Sequence, residues 1–133
     1  MVQVSVSATV SVEGGPMLPV GLEAEPDSYV VSGAELDAVG GADASAEIPL
    51  LPDSGTVSLL AISSRGADGS PATVTVTPTN GATDGDDLTV DGALLVANAS
   101  VLAGLVAGGP RTLTVTNTET TPATVEIVAC LDG

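Results

Sequence analysis

Valine or alanine fills every even position from Val2 to Val12, and Gln3, Ser5, Ser7, Thr9 and Ser11 lie between them. A period of two sends the two sets to opposite faces of an extended chain. The segment therefore reads as a β-strand with one apolar and one hydroxyl-rich face, half-solvated as in an antiparallel sheet. The alternation returns at Ala46, Ile48 and Leu50, over Ala72 to Thr77, over Thr112 to Thr116 and through Thr124 to Leu131. Thr56 to Ser63 is apolar on both faces and reads as a central strand, while Tyr29-Val30-Val31, Leu88 with Val90, and Ala93 to Ala97 are shorter candidates. Turn chemistry separates these runs: Gly14-Gly15-Pro16, Gly40-Gly41, Pro52-Asp53-Ser54-Gly55, Arg65 to Pro71, Pro78 to Asp87 and Asn117 to Pro122. Pro16 and Pro19 keep the residues after the first strand out of a central strand. Ser100 to Gly108 is the one helical turn, with Ser100 as its N-cap. This pattern predicts one all-β domain over residues 1–133. Its expected architecture is an antiparallel β-sandwich, Ig-like or jelly-roll-like, of about eight short strands, with residues 1–20 as an extended N-terminal strand or arm.

The composition limits what such a domain can do. The chain has 17 Asp and Glu against two arginines, Arg65 and Arg111, giving a formal charge of −15, and it has no His and no Lys. The commonest general base and the Schiff-base amine are thus both missing, so a non-enzymatic protein is expected, with no catalytic, cofactor-binding or metal-ligating residue assigned. Two dispersed arginines cannot displace the counterions of a polyphosphate, which argues against nucleic acid and anionic membranes as partners. Disorder is disfavoured as well, because 44% of residues are hydrophobic and the mean hydropathy is +0.45. Tyr29 is the only aromatic residue. Valine, leucine, isoleucine and alanine must fill the core, which favours thin layers and makes burial at a subunit interface an attractive supplement. The apolar stretch Ala93 to Gly109 is interrupted by Asn98, Ser100 and glycines and is shorter than a membrane span. No basic and apolar leader opens the chain, so synthesis and residence in the cytoplasm are expected.

Several residues could carry chemistry. Asp53-Ser54-Gly55 resembles the signature of retropepsin-like aspartic proteases, which pair two such aspartates across a dimer, although Pro52 intervenes where the family has an apolar strand. A Pro-Asp-Ser-Gly turn accounts for the same residues. Asp84-Gly85-Asp86-Asp87 offers oxygen ligands without EF-hand spacing, and a solvated loop explains it equally well. Cys130 is the only cysteine and sits in an apolar strand, where it reads as a small buried hydrophobe. Asn98-Ala99-Ser100 is a formal sequon, and Arg65 and Arg111 read as exposed turn residues that could reach carboxylates of a neighbouring subunit. Tyr29 reads as a core anchor or an interface contact.

The stretch from Gly92 through Leu113-Thr114-Val115-Thr116-Asn117 to Val125-Glu126-Ile127-Val128 resembles small β-sandwich structural proteins of tailed bacteriophages, of the decoration or cement type. The resemblance implies a virion component, assembled in the host cytoplasm, that self-associates and decorates or reinforces a capsid or tail. Its implied partners are identical subunits in a homo-oligomer and the major capsid or tail protein. An Ig-like adhesion or ligand-binding module is the alternative that the same residues permit.

Overall fold

Alternating threonine and valine sets the inner layer of one sheet. In β6 (Thr73–Asn80) and β10 (Thr112–Asn117), Val74, Val76, Leu113 and Val115 are fully buried, and the threonines between them face outward, half-buried. The strands pair antiparallel with Val115 opposite Val76 and Thr114 opposite Thr77, so branched side chains meet their like on both faces. The structure is a computed structural model describing residues 3–50 and 55–132. Among these it has nine further strands: β1 (Val4–Ser11), β2 (Met17–Ala24), β3 (Ser28–Leu36), β4 (Ser45–Pro49), β5 (Thr56–Gly66), β7 (Thr83–Asp84), β8 (Leu88–Asp91), β9 (Ala93–Val96) and β11 (Ala123–Asp132), with one short helix, α1 (Ala99–Ala103).

The pairing of the sandwich strands is nested. β3 pairs with β11, β4 with β10, β5 with β9 and β6 with β8, as if one long hairpin had been laid out with its turn near β7. Wrapping that hairpin adds the contacts β11 with β5 and β10 with β6, and yields two sheets, β3-β11-β5-β9 and β4-β10-β6 with β7 and β8 on its far edge. This is the jelly roll, so the antiparallel sandwich is realised in the second of the two expected topologies and not as an Ig-like sheet pair. Eight strands form the roll. The count of eleven comes from the two-residue β7 and from β1 and β2, which lie outside it.

The core between the sheets is aliphatic, as the lack of Phe and Trp requires. Leu36, Leu60, Ile62, Val125 and Ile127 of one sheet meet Ile48, Val74, Val76, Leu113 and Val115 of the other, and α1 contributes Leu102. Full burial of each Val, Leu or Ile stabilises by roughly 1.5–3 kcal/mol. Among the described residues two buried polar side chains, Ser64 and Asn117, tie one end of the roll. Ser64 donates Oγ–H to the Ala72 carbonyl (2.6 Å), Ala72 N–H returns to the Ser64 carbonyl, and Gly92 closes the triangle by donating to Ala72 and accepting from Ser64. Gly92 has φ +89° and lies against Pro71, a place where a side chain does not fit. At the same end, Asn117 Nδ2 donates to the carbonyls of Asp37 (3.0 Å) and Thr121 (2.8 Å), while its Oδ1 accepts from Glu119 N–H (3.0 Å).

Three local expectations are corrected. The first strand, expected to be solvated on one face only, pairs among the described residues only with β2, and its apolar face too is solvent-exposed over most of its length. Pro19 is accommodated because β2 belongs to a two-stranded ribbon, where a strand can spare ladder donors along its free edge. Helix α1 is capped by Asn98, whose Oδ1 accepts from Ser100 and Val101 N–H, and not by Ser100. The strand foreseen around Tyr29 runs for nine residues, held along its whole length by β11.

Candidate assembly interface

The β1–β2 ribbon separates its side chains by polarity. Antiparallel register places Val4 opposite Ala24, Val6 opposite Leu22, Ala8 opposite Val20 and Val10 opposite Leu18, so eight apolar residues share one face. The other face carries Ser5, Ser7, Thr9 and Ser11 opposite Glu23, Gly21, Pro19 and Met17. No strand of the sandwich pairs with the ribbon, and Val10 and Leu18 are 56% and 60% exposed. Residues 3–24 include two of the 17 acidic residues, Glu13 in the turn and Glu23 on the hydroxyl side. The ribbon is therefore the apolar, weakly charged part of a strongly acidic chain.

The two outer faces of the sandwich also differ. On β4-β10-β6 the outward residues include Thr112, Thr114 and Thr116 opposite Thr79, Thr77 and Thr75, a hydroxyl surface that extends to the carboxylates of Asp87 and Asp91 through Thr77 and Thr73. On β3-β11-β5-β9 an apolar row crosses all four strands in register: Val31, Val128, Ala61 and Leu95. The next row is Tyr29, Cys130 and Leu59. Val31 and Leu95 are 66% and 45% exposed, and Val31 and Val128 line a shallow groove of about 400 Å³. An alternation that runs apolar on both faces, noted for β5, thus marks a strand with the core below it and a second apolar surface above.

The residues singled out for chemistry are dispersed. Asp53 and Ser54 lie outside the described residues. Asp84 belongs to β7, and Asp87 accepts a hydrogen bond from Thr77 Oγ1 (2.6 Å). Among the described residues no group of three or more His, Cys, Asp or Glu is placed to hold a metal ion. A cleft of about 420 Å³ beside Pro122 and Ala123 has Glu35, Asp37 and Asp43 on its walls, but Asp37 Oδ2 is already engaged by the Asp43 N–H (3.0 Å). Cys130 is fully buried on the outward side of β11, and burial, reinforced by the charge of Asp132, pushes its thiol pKa up. Asp68 is held below the usual carboxylate range by the Ser70 hydroxyl and then by the Ser70 N–H. Tyr29 is 53% exposed on the outer face and is not a core anchor. Arg65 is exposed at the end of β5, whereas Arg111 is half-buried ahead of β10, with Nη1 shielded and lacking a partner among the described residues.

The sequence reading missed the outer-face row and the pairing of β1 with β2. Both depend on which strands become neighbours, although the apolar residues at 18, 20, 22 and 24 mirror the even positions of β1 once a turn at Gly14-Gly15 is assumed. Among the described residues no helix is long and apolar enough to cross a membrane. Comparison with known protein families, curated proteins and solved structures finds no match to this chain.

Proposed function

We propose that this protein is a non-enzymatic structural subunit of a virion that self-associates and decorates or reinforces a capsid or tail assembly. The observation that carries the reading is the asymmetry of the sandwich exterior. One face is hydroxyl-rich and wet, and the other presents Tyr29, Val31, Val128, Ala61 and Leu95 as a contiguous apolar surface. A one-sided apolar face suits a part that lies on a larger shell with its polar face toward water. The jelly roll is also an architecture used in capsids, an analogy at the level of fold alone. In this reading the charge of −15 keeps free subunits apart until a complementary surface is offered.

The experiment is co-sedimentation of the purified protein with capsids and tails of the virus encoding it. Wild type is expected in the pellet at saturable stoichiometry, and Val31→Lys/Leu95→Lys is expected to remain in the supernatant while melting like wild type. A wild-type chain that stays monomeric and pellets with neither particle overturns the proposal.

A further inference from the structure

We infer that the apolar face of the β1–β2 ribbon is a homotypic contact, stacked against the same face of a second copy across a two-fold axis. The inference rests on the reading of the chain as a self-associating subunit and names the surface and the partner. A β-face with no core of its own is covered by a second sheet at about 10 Å, with strands nearly aligned. The ribbon presents such a face in full register: Val4, Val6, Ala8 and Val10 beside Ala24, Leu22, Val20 and Leu18. Val10 and Leu18 are more than half exposed, Val20 and Leu22 less so, and Val4, Val6 and Ala24 are half-buried, so full coverage of the eight residues removes at most about 500 Å² per copy and about 1,000 Å² for the pair, the lower limit for a specific interface.

Charge selects the same partner. Glu13 and Glu23 are the only acidic residues within 3–24, and Glu23 is on the opposite face, so two ribbons meet without opposed carboxylates. The other 15 acidic residues lie outside the ribbon, where contact between copies brings like charges together. A self-complementary patch of this kind closes as an isologous dimer, leaving no ribbon face for a third copy. The apolar face of the sandwich is then free for the shell.

Sedimentation equilibrium of the full chain tests this, with Leu18→Glu/Val20→Glu on the apolar face and Ser7→Gln/Thr9→Gln on the hydroxyl face. Wild type and the Gln variant are expected to be dimers at micromolar concentration. The Glu variant is expected to be a monomer, its dissociation constant raised on the order of 100-fold by burying carboxylates without partners. Because the sandwich does not pair with the ribbon, its circular dichroism should be unchanged. Ala8→Cys, at the middle of the face, should cross-link two copies on mild oxidation. A wild-type oligomer that survives Leu18→Glu/Val20→Glu overturns the ribbon contact and leaves self-association standing. A wild-type monomer overturns the ribbon contact, and one that also ignores capsids and tails overturns the assembly reading with it.

Discussion

Asn117 tests the account of the roll's closed end. It is fully buried, donates two hydrogen bonds to the Asp37 and Thr121 carbonyls and accepts one from Glu119 N–H. Asn117→Asp keeps the shape and the accepted bond, but turns an acceptor toward two carbonyl oxygens. Two carbonyls lose their donor at roughly 1–3 kcal/mol each, and a desolvated carboxylate faces them, so about 4 kcal/mol is lost at neutral pH. For a domain holding about 5–15 kcal/mol that is a large fraction, and at about 3 °C per kcal/mol it lowers Tm by about 12 °C. The deficit should depend on pH. Folding raises the pKa of the new carboxyl above its unfolded value, because only the protonated form can donate to a carbonyl. Below the unfolded pKa the group is neutral in both states and one bond is recovered. As pH rises from the unfolded toward the folded value the penalty grows, and above the folded value it is complete. Calorimetry of variant and wild type in parallel should give a Tm gap of about 12 °C at neutral pH and about half that near pH 4. Equal melting at neutral pH, or a gap that does not change with pH, would refute the assignment of Asn117 as the hub.

Gly92→Ala should cost about 2–4 kcal/mol, because φ +89° disfavours a side chain and a Cβ would fall 2.7 Å from Pro71 Cβ; urea titration measures it, with Gly14→Ala in the ribbon turn leaving the sandwich transition unchanged. Native Cys130 should react with a thiol reagent at least about 100-fold more slowly than the unfolded chain at mildly alkaline pH. Its raised pKa also implies stability that is present below the ordinary thiol value and lost as pH rises from that value through the higher folded one, absent in Cys130→Ala. The carboxyl of Asp68, lowered by Ser70, should titrate at higher pH in Ser70→Ala when followed by NMR; its stabilising effect is present above the unfolded pKa and lost as pH falls through the folded one. Concentrated protein at about pH 4–6 should leave peptide substrates intact, whereas cleavage abolished by Asp53→Asn would revive the protease reading.

Local periodicity revealed the strands but not their partners. Thr112 to Thr116 and Thr124 to Leu131 alternate so regularly that β10 and β11 could be read directly, and the apolar run at Thr56 to Ser63 announced a central strand. The same signal at Val4 to Ser11 was equally clear and did not reveal that the strand lies outside the roll with its apolar face exposed, because alternation reports that a strand has two faces and not what covers either of them. The jelly-roll order is set by pairings such as β3 with β11, far apart in sequence, to which no window of a dozen residues is sensitive. Asn117 looked like one more polar turn residue. Its role depends on Asp37 and Ala44, brought to it from the β3–β4 connection by the wrapping of the roll.

The nested pairing also bears on how the chain is made. The turn of the long hairpin, between β6 and β8, closes over a short loop and can form as soon as residue 91 is available, whereas β11, which pairs with both β3 and β5, follows every other strand of the sandwich. The sandwich cannot be completed until β11 is available, and its loop closures span most of the sequence, which marks it as a slow folder. The β1–β2 ribbon is different: it is local, precedes the sandwich strands and needs none of them. During synthesis its apolar face is therefore displayed while the body is still unfolded, a hazard of premature association between neighbouring nascent chains. The acidic residues that follow it in the chain place a repulsive segment between those ribbons until each roll has closed.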